Sequence, residues 1–166
     1  MPGYLAGLFE SYRAKGILID TNLMVLVAVG TYNRLRIKTF KRTIQYTLED
    51  LELMLRMLAY FGRRLTTPNI LTEVDNLARQ LPEDEHKALA TALAQLISRK
   101  FEVYVQSSQV AQHAAYVKLG LTDCATAIAA AEEGVLIITD DLRLSNILSS
   151  LGMDAININH IRTLNW

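Results

Sequence analysis

The chain has 166 residues, with 17 acidic side chains, 17 basic ones and one Cys. A single domain is expected at that length, and a composition 51% hydrophobic and 20% charged excludes a disordered chain. One Cys excludes an intramolecular disulfide framework and a multi-Cys zinc site, and zero net charge removes the simplest argument for a nucleic-acid binder, a basic excess.

Met1 to Lys15 carries Glu10 and Arg13 and lacks a signal-peptide core. Gly16 to Ile19 is a short apolar run that reads as a buried strand ending at Asp20. Asp20, Thr21 and Asn22 suit the cap of a following helix. The apolar run Leu23 to Val29 has seven residues, where a membrane span needs roughly 20, so no membrane association and a cytosolic location are expected. Arg34, Arg36, Lys38, Lys41 and Arg42 place five cations within nine residues, beside Tyr32 and Phe40. Such a strip could track phosphates and stack bases, or it is a solvated edge.

Ile44 to Phe61 reads as a helix with the stripe Leu48, Leu51, Leu55 and Leu58. Leu53, Met54 and Met57 add a second apolar face, from which a homodimer or a protein partner is expected. Thr67 and Pro68 form an N-cap and first helical position, opening a helix to about Gln80. Pro82 and the acids Glu83, Asp84 and Glu85 open the next, with Leu89, Leu93, Leu96 and Ile97 as its stripe. Phe101 to Gln106 reads as a strand, and Ser108 to Lys118 as a helix stopped by Gly120. Asp123 to Glu133 is a helix stopped by Gly134. Val135 to Ile138 is a strand ending at Thr139-Asp140-Asp141. Leu142 to Leu151 is a helix stopped by Gly152, and Ala155 to Ile158 is a weaker strand. Apolar strands separated by helices define an α/β domain with a mostly parallel sheet.

Ligands in such sheets bind beyond the carboxyl ends of the strands. Asp20, Asp140 and Asp141 follow two apolar strands, while Glu73 and Asp123 lie at or near helix starts. Each alone has an ordinary explanation as a cap, a dipole partner or a surface acid. Converging, they would repel one another unless cations sat between them, and hard Mg²⁺ or Mn²⁺ prefers such oxygen donors. His86, His113 and His160 have no metal-motif spacing, and Cys124 has no His in a recognisable nucleophile motif beside it.

The motifs Ile19-Asp20-Thr21-Asn22, Pro68 to Glu73, Gly120-Leu121-Thr122-Asp123 and Ile138-Thr139-Asp140-Asp141 occur in that order. With them, residues 16 to 160 resemble the PIN-domain family of metal-dependent nucleases. The resemblance implies a three-layer fold, a central mostly parallel sheet flanked by helices, over a single domain of residues 1–166. It implies Asp20, Glu73, Asp123 and Asp141 as catalytic acids holding Mg²⁺ or Mn²⁺, with Asp140 assisting as a ligand. Asn22 and Thr139 would orient the carboxylates. The implied activity is endoribonuclease cleavage of RNA, in a processing enzyme or in a toxin paired with an antitoxin. The 52 residues between Asp20 and Glu73 depart from a compact toxin-type domain, the extra length falling around residues 31–61 as an extended helical segment.

Two other classes compete. A non-catalytic PIN-like scaffold that binds RNA or protein would have no need of clustered acids. A doubly wound phosphatase or receiver also puts acids at strand ends, but a receiver needs adjacent acids after an early strand, and Asp20 stands alone there.

Overall fold

A computed structural model describes residues 2–162. The helices are α1 (Pro2–Tyr12), α2 (Thr21–Tyr32), α3 (Leu48–Tyr60), α4 (Pro68–Ala78), α5 (His86–Ile97), α6 (Ser107–Gln112), α7 (Tyr116–Glu133), α8 (Leu142–Ser150) and α9 (Ile158–Arg162). The strands are β1 (Ile17–Ile19), β2 (Arg64–Thr66), β3 (Phe101–Glu102), β4 (Leu136–Thr139) and β5 (Ala155–Asn157). They form one parallel sheet in the order β3-β2-β1-β4-β5, so the chain is an α/β protein with a five-stranded central sheet flanked by helices. No helix among the described residues is long and apolar enough to cross a membrane.

β1 and β4 are buried along their whole length, which is why each reads as an unbroken apolar run rather than an alternating one. Leu18 pairs with Leu65 on one side and Ile137 on the other, putting β1 at the centre. α2 starts directly at the end of β1 and is buried nearly all round, from Leu23 to Gly30. A helix apolar on every face must lie inside, and α2 packs against α3, α4 and α5. Thr67 caps α4 by accepting the Ile70 N–H at 3.3 Å, with Pro68 at the first helical position as expected.

One strand, β2, is not among those expected, and three expectations need correction. β2 has a single fully apolar residue between an Arg and a Thr, so it carries no run of its own; pairing with β1 and β3 makes it a strand. β3 ends at Glu102 rather than Gln106. One further ladder bond, from the Val103 N–H to the Thr66 carbonyl, closes the pairing at 2.9 Å. The helix expected from Ser108 to Lys118 stops at Gln112, because His113 takes an extended conformation. α7 then runs through Gly120, whose φ of 76° and ψ of −175° belong to a region open essentially to glycine, and which breaks the helix just before Asp123.

The third correction concerns α3. Thr47 and Asp50 form a reciprocal capping box that starts the helix at Leu48, leaving Ile44 in the preceding turns. The buried face is Leu51, Leu53, Met54, Met57 and Leu58, while Leu48 and Leu55 of the expected stripe are exposed. The apolar residues that had pointed to a homodimer therefore belong to this chain's own core. The segment at 31–61 is accordingly only partly helical: a 3₁₀ turn at Arg34–Lys38, a run of turns, then α3.

Candidate metal-binding acidic site

The order of strands reverses between β1 and β4: the chain moves outward from β1 to β3, then returns to β4 on the other side. A crevice outside the carboxyl ends of these two strands follows from that topology. Asp20 stands at one lip and Asp140 and Asp141 at the other.

Asp20 is only 5% exposed. Its Oδ1 accepts the Leu23 N–H at 2.9 Å and so caps α2. Its Oδ2 accepts the Thr139 hydroxyl and the Asp140 N–H, the latter at 3.0 Å. Capping and site-building are thus done by different oxygens of one carboxylate. Burial, and after it the negative charge of Asp140, pushes the Asp20 carboxyl up to about 8 against the opposing pull of its three hydrogen bonds.

Thr139, fully buried, is the hinge of the opposite lip. Its hydroxyl donates to Asp20 and accepts the Asp141 N–H at 2.9 Å. Asp141 caps α8 through Oδ1, which accepts the Leu144 N–H at 3.0 Å, and its side chain is otherwise open to solvent. Asp140 is held from two directions: Oδ1 accepts the Asn22 amide at 3.2 Å and Oδ2 accepts the Tyr46 hydroxyl. Tyr46 is 1% exposed, and its hydroxyl is pushed far up by burial and by the bond and charge of Asp140.

Asp123 lies in the first turn after the Gly120 break and accepts no hydrogen bond among the described residues. Burial raises its carboxyl to about 6, with the charges of Asp141 and Glu73 adding to the rise and Arg143 opposing it. Glu73, exposed on α4, accepts the Thr21 hydroxyl at 3.1 Å, which ties it to the residue after Asp20. The structure therefore brings all five sequence-identified acids to one end of the sheet, linked through Thr139, Thr21 and mutual repulsion.

None of the five forms an ion pair among the described residues. Glu10, Asp50, Glu52, Asp75, Glu85 and Glu133 each pair with an Arg, and the remaining six acids of the described residues have no ion pair either. The donor set is oxygen only, which suits a hard divalent cation in kind. In position it is not a cage: among the described residues no three His, Cys, Asp or Glu side chains stand close enough to enclose a metal ion.

The basic strip begins where α2 ends, so its first member, Arg34, lies about 18 Å along the helix from Asp20 at roughly 1.5 Å per residue, and the chain then returns to Asp140 at Tyr46. Arg34 pairs with Glu52, Arg36 grips Glu85 with two nitrogens, and Arg42 donates to Gln80 at 3.1 Å. Tyr32, half-buried, donates its hydroxyl to Glu85, and Phe40 is core. Lys38 and Lys41 are the members of the strip without an ion pair or side-chain hydrogen bond among the described residues. Arg63 is held by Glu133 at 2.8 Å and lies over the Phe101 ring. Cys124 is buried with its thiol 3.8 Å from the Val110 carbonyl.

Tyr46 is the site residue that sequence reasoning misses. It lies in a run of turns with no periodic pattern, and only the folded path of residues 33–47 brings it to Asp140.

No protein-family model matches the chain, and no curated protein matches it either.

Proposed function

We propose that the chain is a metal-dependent endoribonuclease of the PIN type. One observation carries this reading. Five carboxylates are gathered at the switch point of a parallel sheet without an ion-pair partner among the described residues, and burial together with their acidic neighbours raises two of them, Asp20 and Asp123. Such a cluster costs stability through desolvation and repulsion unless a cation is meant to enter it.

Asp20, Glu73, Asp123 and Asp141, which do not enclose an ion as they stand, would have to draw together to hold Mg²⁺ or Mn²⁺, with Asp140 in support. A bound divalent ion supplies an activated water at neutral pH and neutralises charge building on a phosphodiester. The protein's part is positional. Thr139 locks Asp20 to the start of α8, Asn22 and Tyr46 clamp Asp140, and Thr21 orients Glu73. Asp123, free of hydrogen bonds from the described protein, keeps its lone pairs for a ligand. Neither His86 nor His113 is placed to serve as a base among these groups: His86 bonds the Arg79 and Leu81 carbonyls, and His113 accepts the Ala115 N–H.

The direct experiment is incubation of the purified chain with end-labelled single-stranded RNA, in Mn²⁺ or Mg²⁺ and in excess EDTA. Internal cleavage with either metal and none with EDTA is the expected result. Cleavage that survives EDTA, or no cleavage under any of these conditions, would contradict the proposal.

A further inference from the structure

Beside the acids opens a cavity of about 350 Å³, with Glu73 on its rim. One wall is α4, which presents Asn69, Thr72 and Asn76; the other is the segment after β3, which presents Tyr104 and Ser107. Because β2 and β3 run parallel to β1, both segments leave the sheet at the same end as Asp20. The Thr21–Glu73 hydrogen bond joins this cavity to the Asp20 lip.

Two features define what the cavity could take. Tyr104 is 73% exposed, and neither its hydroxyl nor the side chains of Asn69, Thr72, Asn76 and Ser107 hydrogen-bond within the described protein. Among the described residues no Lys or Arg lines it, and Glu73 is its one charged member. A flat aromatic face with unengaged amides and hydroxyls suits a planar, uncharged, hydrogen-bonding group. A phosphate would find no cation there.

We infer that this cavity is a nucleobase subsite: Tyr104 stacks one unpaired base of a single-stranded RNA, and Asn69 and Asn76 meet that base's edge, beside the acids that take the phosphodiester. The inference rests on the nuclease reading for its choice of ligand and assigns a binding site to it. Asn side chains pair well with the donor–acceptor edge of a base, and stacking on an aromatic side chain tolerates any base. A base within a duplex has its faces covered, so the subsite selects unpaired strands.

The test is equilibrium binding of a fluorescein-labelled single-stranded RNA octamer to the full chain, with Ca²⁺ in place of the catalytic metal. Tyr104→Ala is expected to weaken binding about tenfold, as the loss of one stacked base does. Tyr104→Phe, which keeps the ring, is expected to restore it to within about twofold. Asn76→Ala is expected to weaken one base identity more than the others. A hairpin duplex of the same length is expected to bind at least about tenfold less tightly. The DNA octamer separates a base subsite, which accepts it, from one that also reads the ribose. Binding unchanged in Tyr104→Ala, equal loss in Tyr104→Phe, or a preference for duplex would overturn the inference. The two readings fail separately. Cleavage by a Tyr104→Ala chain that binds like the parent refutes the subsite alone. Tyr104-dependent binding without metal-dependent cleavage refutes the nuclease alone.

Discussion

Asp20→Asn is expected to reduce metal-dependent RNA cleavage by at least about 100-fold, beyond the loss common for residues that merely support a metal ligand. Asp20 is the most buried of the five acids and the one bonded to both lips of the crevice. The same substitution has a signature in stability. With its carboxyl raised to about 8 by burial and by Asp140, the folded chain holds a proton that the unfolded chain releases near the ordinary carboxylate value. Between those two values the folded state binds more protons, so stability is greatest at the acid end and falls as pH rises toward about 8. Asp123, raised to about 6, adds a smaller fall over the lower part of the window. Thermal denaturation in EDTA from pH 4 to 8 should therefore show a Tm that declines for the parent and declines less for Asp20→Asn. The slope is the diagnostic. The amide that replaces the Asp20 carboxylate can turn its NH₂ toward the Asp140 N–H, so the variant's absolute Tm also carries a lost hydrogen bond. Equal slopes in the two proteins would remove Asp20 as the strained carboxyl.

Gly16→Ala is expected to cost roughly 3–5 kcal/mol, the sum of backbone strain and overpacking. Gly16 has φ +112°, a value L side chains rarely adopt, and an added Cβ would lie 2.6 Å from the Arg63 Cβ and 2.7 Å from the Arg63 carbonyl oxygen. Neither neighbour can yield cheaply, since that carbonyl accepts the Ile17 N–H at 3.0 Å and the Gly16 carbonyl accepts the Leu136 N–H at 3.1 Å. The clash sits where β1 enters the sheet between β2 and β4, so relief would shift the strand that delivers Asp20. Gly7→Ala is the control. Gly7 lies in the interior of α1 with nothing within 4 Å of an added Cβ, and a gain of about 0.5–1 kcal/mol is expected there. Urea denaturation reads both; a Gly16→Ala midpoint equal to the parent's would show that the entry to β1 yields.

The parts of the fold visible in sequence are those whose signal is local. β1 and β4 are read correctly because a strand buried on both faces needs consecutive apolar residues. α4 is legible from Thr67-Pro68 because a cap and a first-turn proline act within four residues. β2 is invisible because a three-residue strand with one apolar side chain is made by its neighbours. α3 shows how periodicity can be right about the element and wrong about its face. Leucines at 48, 51, 55 and 58 fit one stripe, yet the Thr47–Asp50 cap and the packing on α2 turn Leu53, Met54 and Met57 inward.

The candidate site divides in the same way. Its five acids are legible because strand ends and helix starts mark them. Their clamps are less so. Thr139 and Asn22 lie beside acids and are found with them, whereas Tyr46 reaches Asp140 from 94 positions away. The basic strip is legible only in part: its charges are visible in sequence, but Glu52, Glu85 and Gln80, the partners of Arg34, Arg36 and Arg42, are distant in the chain.

The central claim is that the acids at the ends of β1 and β4 exist to hold a divalent cation. Titration of the metal-free chain with Mn²⁺, with free Mn²⁺ followed by electron paramagnetic resonance, measures that directly. One or two ions are expected to bind per chain, with affinity weakened at least about tenfold by Asp20→Asn and by Asp123→Asn. No change is expected on Asp75→Asn, whose carboxylate is already paired with Arg79. No binding, or binding that all three variants share with the parent, would contradict the claim.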